Sequence, residues 1–124
     1  MKTFLRLALM TLALPHAAAA EDAPGYAQTL GAEIARCWNL GAFQSSAPPV
    51  PVTVEVTMSH SGKPATVRFL SSPYPPSASV TKSYEAARRA ILRCGQRGFD
   101  LSAEDREVWR TIEITFDPQD MRIE

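Results

Sequence analysis

Few residues of this sequence can bind a metal or act as a nucleophile. The 124 residues include only two cysteines and two histidines, and His60 is the only histidine beyond the first twenty positions. A structural zinc site needs about four ligands, mostly Cys and His, and a redox thiol pair normally has the spacing C-x-x-C. The sequence offers neither, and it lacks a G-x-S-x-G nucleophile motif and a glycine-rich phosphate loop. We therefore predict no metal site, no cofactor and no catalytic residues, and thus a protein that is not an enzyme.

Two groups of residues come closest to a catalytic arrangement. His60 stands between Ser59 and Ser61, but sequence neighbours in a tight turn seldom face one another as a nucleophile and base must. Glu55, Glu113 and Asp117 could supply a carboxylate pair, although Glu55 and Glu113 each lie on the polar side of a predicted strand, where contact with solvent explains them. A small hydrolase that depends on His60 is the least favoured of our hypotheses.

The longest apolar run lies at the N-terminus. Lys2 and Arg6 supply positive charge, Leu7–Leu14 is mostly apolar, Pro15 ends the run, and Ala18–Ala20 provides small residues. This order is typical of a secretory signal peptide. The alternative, an uncleaved membrane anchor, needs about 20 apolar residues, and this run is about half as long. We predict a signal peptide that is cleaved after residue 20.

The remaining chain, residues 21–124, has the length of one domain and nearly balanced charge. Loss of two basic residues with residues 1–20 leaves eleven Lys and Arg against thirteen Asp and Glu, a net charge of about −2. Nucleic-acid binding requires a concentrated basic surface. Four arginines do cluster between positions 88 and 97, but acidic residues at 85 and 100 flank them, which favours a solvated helix face. We expect no nucleic-acid partner and no membrane span after cleavage.

The two cysteines predict a structural disulfide between Cys37 and Cys94, because an exported chain matures in an oxidising compartment. Each cysteine lies beside apolar residues in a helical pattern, so the bridge would join two helices. Closing a loop of nearly sixty residues stabilises the fold by about 4 kcal/mol in the chain-entropy account. Export and the disulfide together predict a periplasmic location.

Two segments show helical periodicity. Apolar residues recur three or four positions apart in Tyr26–Trp38 and again in Tyr84–Cys94. We expect Ser79 or Thr81 to cap the second helix and Gly95 to end it.

Three segments show strand patterns. Val52–Met58 alternates between apolar and polar residues, and Ala65–Leu70 resumes the alternation after a turn in which Gly62 is suited to a positive φ. Arg110–Phe116 reads as a third strand with its isoleucines inward. The resulting order, α-β-β-α-short helix-β, predicts a two-layer α+β sandwich with the helices on one face of a three-stranded antiparallel sheet.

Four segments carry a resemblance to a known family. They are "IARCWNL" at Ile34–Leu40, "VEVTMSHSGKPATVRFL" at Val54–Leu70, "YEAARRAILRC" at Tyr84–Cys94 and "WRTIEITFDPQDM" at Trp109–Met121. Together they resemble the C-terminal domain of TolA, and more distantly that of TonB, over nearly all of residues 21–124. The resemblance implies the α+β fold above and a periplasmic, non-catalytic protein-binding module. TolA and TonB also carry a membrane helix and a long stalk, whereas here the signal leads directly into the domain, so we do not expect force transduction.

The family's recurring binding mode is strand addition to a sheet edge, and the implied partner is a Tol-Pal component or another envelope protein, for example a TolB-like N-terminal peptide. By this analogy the last strand is the docking edge. An alternative is that the chain's own termini cover this edge. The partner-binding residues expected from the analogy are Arg110, Thr111, Ile112, Glu113, Ile114, Thr115 and Phe116.

A different hypothesis is a periplasmic accessory or inhibitor-type protein that acts through its proline-rich loops, Pro48–Pro51 and Ser72–Pro76. Tyr74 would then anchor the contact. The simpler interpretation is that both loops are rigid connectors. We expect Trp38 and Trp109 to be core or boundary residues and not ligand platforms.

Overall fold

A computed structural model describes residues 25–41, 43 and 45–124. The predicted signal peptide, residues 1–20, lies outside the described residues. The helices and strands follow in the order α1 (Gly25–Cys37), β1 (Val52–Met58), β2 (Pro64–Ser71), α2 (Ala78–Cys94), a 3₁₀ turn (Ala103–Asp105), α3 (Arg106–Trp109), β3 (Thr111–Phe116) and β4 (Met121–Ile123). Within this part of the chain, no helix has the length and apolarity needed to cross a membrane.

The antiparallel sheet has four strands among the described residues, in the order β2-β1-β3-β4. The prediction of three strands is therefore wrong, although the α+β class is confirmed. The chain turns back after β3 because the Asp120 N–H donates to the Asp117 carbonyl at 3.0 Å and the Gln119 N–H to the Asp117 carboxylate at 2.9 Å. β4 then pairs with the end of β3, with Ile123 opposite Ile114. A three-residue strand is too short to show an alternation in the sequence.

The core lies between one face of the sheet and the two long helices. Val54, Val56 and Ile114 are completely buried on the sheet side, and Ile34 and Ile91 are completely buried on the helix side. Each such side chain contributes about 1.5–3 kcal/mol relative to an exposed one. The alternation predicted for β1 is confirmed, because every second residue from Val52 to Met58 is buried.

The ends of α2 are fixed by contacts that the sequence only partly indicated. Ser77 caps the helix, accepting a hydrogen bond from the Val80 N–H at 3.2 Å, so the expected cap at Ser79 or Thr81 is wrong by a few residues. Gly95 ends the helix as predicted, and its N–H donates to the Ile91 carbonyl at 2.9 Å. A Cβ at Gly95 would lie only 2.5 Å from Cδ of Pro64. The C-terminal end of α2 therefore meets the start of β2.

Cys37 and Cys94 form a disulfide with their Cα atoms 5.9 Å apart, as the sequence predicts. The bridge joins the last residue of α1 to the last residue of α2. Next to it, the ring of Trp38 packs edge-to-face on Phe116 with centroids 5.3 Å apart. Trp109 is a core residue, 1% exposed, and its indole N–H donates to the Ser102 carbonyl at 2.7 Å.

Candidate functional site

β3, the strand expected to be the docking edge, lies inside the sheet. β1 pairs with it along its whole length, and β4 pairs with Ile114–Phe116 on the other side. Glu113 extends this pairing by exchanging two backbone hydrogen bonds with Glu124, at 3.1 and 2.8 Å. The alternative that the chain's own C-terminal residues cover this edge is therefore confirmed over Glu113–Phe116. A partner contact through the exposed side chains of Arg110, Thr111 and Glu113 stays a prediction.

The polar face of the sheet is cross-linked between its own strands. Glu55 binds Arg68 of the neighbouring strand at 3.0 Å. Thr53 and Thr115 share a hydrogen bond of 2.9 Å, and the Thr57 and Thr66 hydroxyls are also bonded. Such cross-strand pairs stabilise a sheet by about 0.2–1 kcal/mol each. The Glu55 carboxylate thus has a structural partner in Arg68 on the polar face of the sheet.

His60 lies exposed at the tip of the β1–β2 hairpin. The flanking hydroxyls of Ser59 and Ser61 bond to each other at 3.0 Å, and Ser59 Oγ also accepts the Lys63 N–H at 3.2 Å. Gly62 has the expected positive φ, 74°. This arrangement favours the interpretation of these residues as a turn.

β2 is the long outer strand of the sheet, with β1 on one side and no strand on the other within the described chain. The Tyr84 hydroxyl donates to the Val67 carbonyl at 3.1 Å, so this carbonyl points away from β1. Backbone groups alternate in direction along a strand. Register shifts flank the regular stretch Thr66–Phe69. Within it, Val67 and Phe69 therefore turn their N–H and C=O groups outward, while Arg68 pairs with β1.

An apolar pocket of about 420 Å³ opens beside this edge. Phe69 of β2 and Tyr84 of α2 form one wall, packed edge-to-face with centroids 5.7 Å apart. Tyr74 and Pro76 of the β2–α2 loop and Val80 of α2 complete the apolar lining. Phe69 is 39% exposed and Tyr74 54% exposed, so two aromatic side chains are held at the surface. Exposed large apolar groups next to one another are typical of binding surfaces.

The loop that carries Tyr74 is fastened at both ends. Ser72 Oγ donates to the Pro51 carbonyl at 2.7 Å and accepts the Tyr74 N–H at 3.2 Å, and Ser77 caps α2 after the prolines. Proline fixes φ and reduces the conformational freedom of such a loop. The pocket is therefore built from rigid parts, and little entropy is lost when a ligand enters it.

Comparison of the chain with models of protein families finds no match, and comparisons with curated proteins and with solved structures find none either. The resemblance to the TolA C-terminal domain therefore stays a prediction.

The first proline loop has a structural role. The Val50 N–H donates to Oγ of Ser83 at 3.0 Å, and Ser83 is only 4% exposed. This bond fastens Pro48–Pro51 to α2, which favours the connector interpretation for this loop. Tyr74, in the second loop, lines the pocket instead.

A second cavity, of about 160 Å³, lies next to the disulfide on the side of α2 that faces α1. Its lining includes Cys37, Asn39, Ala86, Arg89 and Arg93. Ala86, Arg89 and Arg93 lie on the opposite side of α2 from Tyr84, because at 3.6 residues per turn they are rotated from it by about 200°, 140° and 180°. The two cavities are therefore separate surfaces.

Sequence reasoning did not identify the edge of β2. Phe69 and Tyr84 were assigned to a strand and a helix, but their contact across the sheet edge depends on strand order, which is set by long-range pairing. One signal was present, since Phe69, Tyr74 and Tyr84 are three of the chain's eight phenylalanines and tyrosines and lie within sixteen residues. Of these three residues, the sequence hypotheses name Tyr74 alone as an anchor.

Proposed function

We propose that this protein is a non-catalytic binding module of the periplasm that captures an extended segment of an envelope protein along the outer edge of β2. The observation that supports the proposal most is the position of an apolar aromatic pocket directly beside the outer edge of β2, which has no strand partner among the described residues. A TolB-like N-terminal peptide is the partner that the TolA resemblance implies. The disulfide is consistent with an oxidising compartment.

Strand addition would use both parts of the site, the outward backbone groups of β2 and the apolar pocket. The outward groups of Val67 and Phe69 can form main-chain hydrogen bonds with a partner strand, and these bonds provide affinity with little dependence on sequence. Specificity then comes from side chains that alternate along the partner strand. A side chain directed toward the helices enters the pocket between Phe69, Tyr74 and Tyr84.

β2 replaces β3 as the docking strand in this proposal. β4 already takes the outer side of β3 from Glu113 to Phe116, so a partner could add there only by displacing it. At β2, the bond between Tyr84 and Val67 is the one backbone contact among the described residues that a partner strand would have to replace.

The proposal is tested by titrating ¹⁵N-labelled protein with two probes, a TolB-like N-terminal peptide and an uncharged, threonine-rich strand peptide of about nine residues with one central leucine. We expect amide shifts at Val67, Phe69 and Tyr74. Versions of the bound peptide that are N-methylated at alternate positions provide the matched control. Methylation of the residues that face β2 should abolish binding, and methylation of their neighbours should not. Shifts confined to Thr111–Phe116, or no shift with either probe, would refute the proposal.

The accessory or inhibitor hypothesis is the second candidate, and the exposure of Tyr74 supports it. In that case Ser72–Pro76 would contact a folded partner without strand addition. The two hypotheses differ in the N-methylation experiment, because only strand addition depends on the partner's backbone N–H groups. Tyr74→Ala should weaken binding under both.

A further inference from the structure

We infer that the segment captured at β2 is acidic, with a carboxylate side chain two positions from an apolar anchor. This inference rests on the proposed function and adds the chemistry of the partner. We call the space between β2 and α2 the groove. The inference follows from Arg88 and Lys63, the cationic residues at the end of the groove away from the apolar pocket.

The groove has a defined direction. Tyr84 of α2 meets Val67 in the middle of β2, and Gly95, after the end of α2, meets Pro64 at the start of β2. The helix and the strand therefore run alongside each other in opposite directions. The apolar pocket occupies the end formed by Phe69 and Tyr74.

Arg88 lies at the other end of this groove. It follows Tyr84 by four residues on α2, so both side chains lie on the same face of the helix, about one turn apart. Lys63 immediately precedes β2 and is also exposed. Two cationic side chains thus border the start of the strand edge.

Neither cation has an acidic partner within the described chain. The ion pairs found there are Arg68 with Glu55 and Arg110 with Glu107. Glu85 precedes Arg88 by three residues but is not within 4.0 Å of it. A carboxylate from a partner strand would therefore meet positive charge that is not already neutralised.

The spacing follows from strand and helix geometry. Arg88 follows Tyr84 by four residues, which corresponds to about 6 Å along the helix axis. Side chains on the same face of a strand recur every second residue, at about 6.6–6.8 Å. An apolar side chain that packs against Tyr84 in the pocket therefore places the side chain two positions nearer the start of β2 within reach of Arg88.

The test compares three versions of one strand peptide, with Glu, Gln or Lys two positions from the leucine anchor. Exposed ion pairs contribute about 0.2–1 kcal/mol, so the Glu peptide should bind about 1.4- to fivefold tighter than the Gln peptide at low salt. This advantage should shrink at high salt, because ions screen exposed charges. Arg88→Gln should remove it, whereas Arg89→Gln, an equal charge change at the other cavity, should not.

The outcomes separate the inference from the proposed function. Equal affinities for the Glu and Gln peptides, with shifts at Val67 and Phe69, would overturn the acidic partner and leave strand addition in place. Equal effects of the two arginine substitutions would do the same. If none of the three peptides shifts Val67 or Phe69, both the inference and the proposed function fail.

Discussion

The hydroxyl of Tyr84 and the carbonyl of Val67 form a hydrogen bond of 3.1 Å across the outer edge of the sheet. Exposed strand edges are prone to unwanted pairing, and proteins protect them with short strands, charges or covering groups. Here a helix side chain occupies one of the outward carbonyls, and the bulges at either end of Thr66–Phe69 shorten the regular edge. The same bond competes with a partner strand for the Val67 carbonyl.

Tyr84→Phe should therefore increase the affinity for a strand peptide. The ring remains in the pocket wall, while the freed carbonyl gains a bond from the partner worth about 0.5–1.5 kcal/mol, or about a two- to tenfold decrease in Kd. Tyr84→Ala, which also removes the ring, should weaken binding. Isothermal titration of both variants measures these changes. A weaker affinity for Tyr84→Phe would show that the hydroxyl contacts the ligand directly.

Removal of the disulfide should lower the free energy of unfolding by about 4 kcal/mol, because the loop it closes spans a sequence separation of 57. Urea unfolding of the double variant Cys37→Ala/Cys94→Ala, compared with the oxidised protein, measures the difference. Thiol titration of the native protein provides the control. Two reactive thiols in the native state would contradict the bridge between α1 and α2.

Ile123→Ala should loosen β4 without opening the rest of the sheet. Ile123 is 8% exposed and packs near Gly31 of α1, so its truncation should cost about 2–3 kcal/mol. In hydrogen exchange, the Glu113 amide, which bonds to the Glu124 carbonyl, should exchange faster. The amides of Ile112 and Ile114 point toward β1 and serve as an internal control. Equal acceleration of all three would mean that β4 does not open locally.

Gly95→Ala should destabilise the protein by about 1–3 kcal/mol. The added Cβ would lie 2.5 Å from Pro64 and 2.8 Å from Phe99, so the hairpin would have to move away from α2. Gly25→Ala is the matched control, because a Cβ at Gly25 has no neighbour within 4 Å among the described residues. Thermal unfolding of both variants checks this, and similar Tm values would show that the contact at Gly95 is unimportant.

Local patterns predicted most of the elements. The alternation of Val52–Met58 identified β1 and its buried face, and the helical spacing around both cysteines placed the disulfide correctly. Ser77 was missed as a cap because Ser79 and Thr81 fit the same local rule equally well.

Strand order was not available from local patterns. The outer position of β2 depends on β4, a three-residue strand that follows the turn at Asp117–Asp120. Because β4 pairs with β3, the long strand whose outer edge has no partner among the described residues is β2 and not β3. The pocket between Phe69 and Tyr84 likewise arises from a contact between separate elements and has no sequence motif.

Backbone protection on peptide binding tests strand addition at β2 most directly. No strand in the described part of the chain pairs with the outward N–H groups of Val67 and Phe69 in the free protein, so their exchange with solvent should be fast. Saturation with a strand peptide that binds should slow the exchange of both by at least about tenfold, while the Thr111 amide stays unchanged. Unchanged exchange at Val67 and Phe69 in the saturated complex, or new protection at Thr111, would contradict the account.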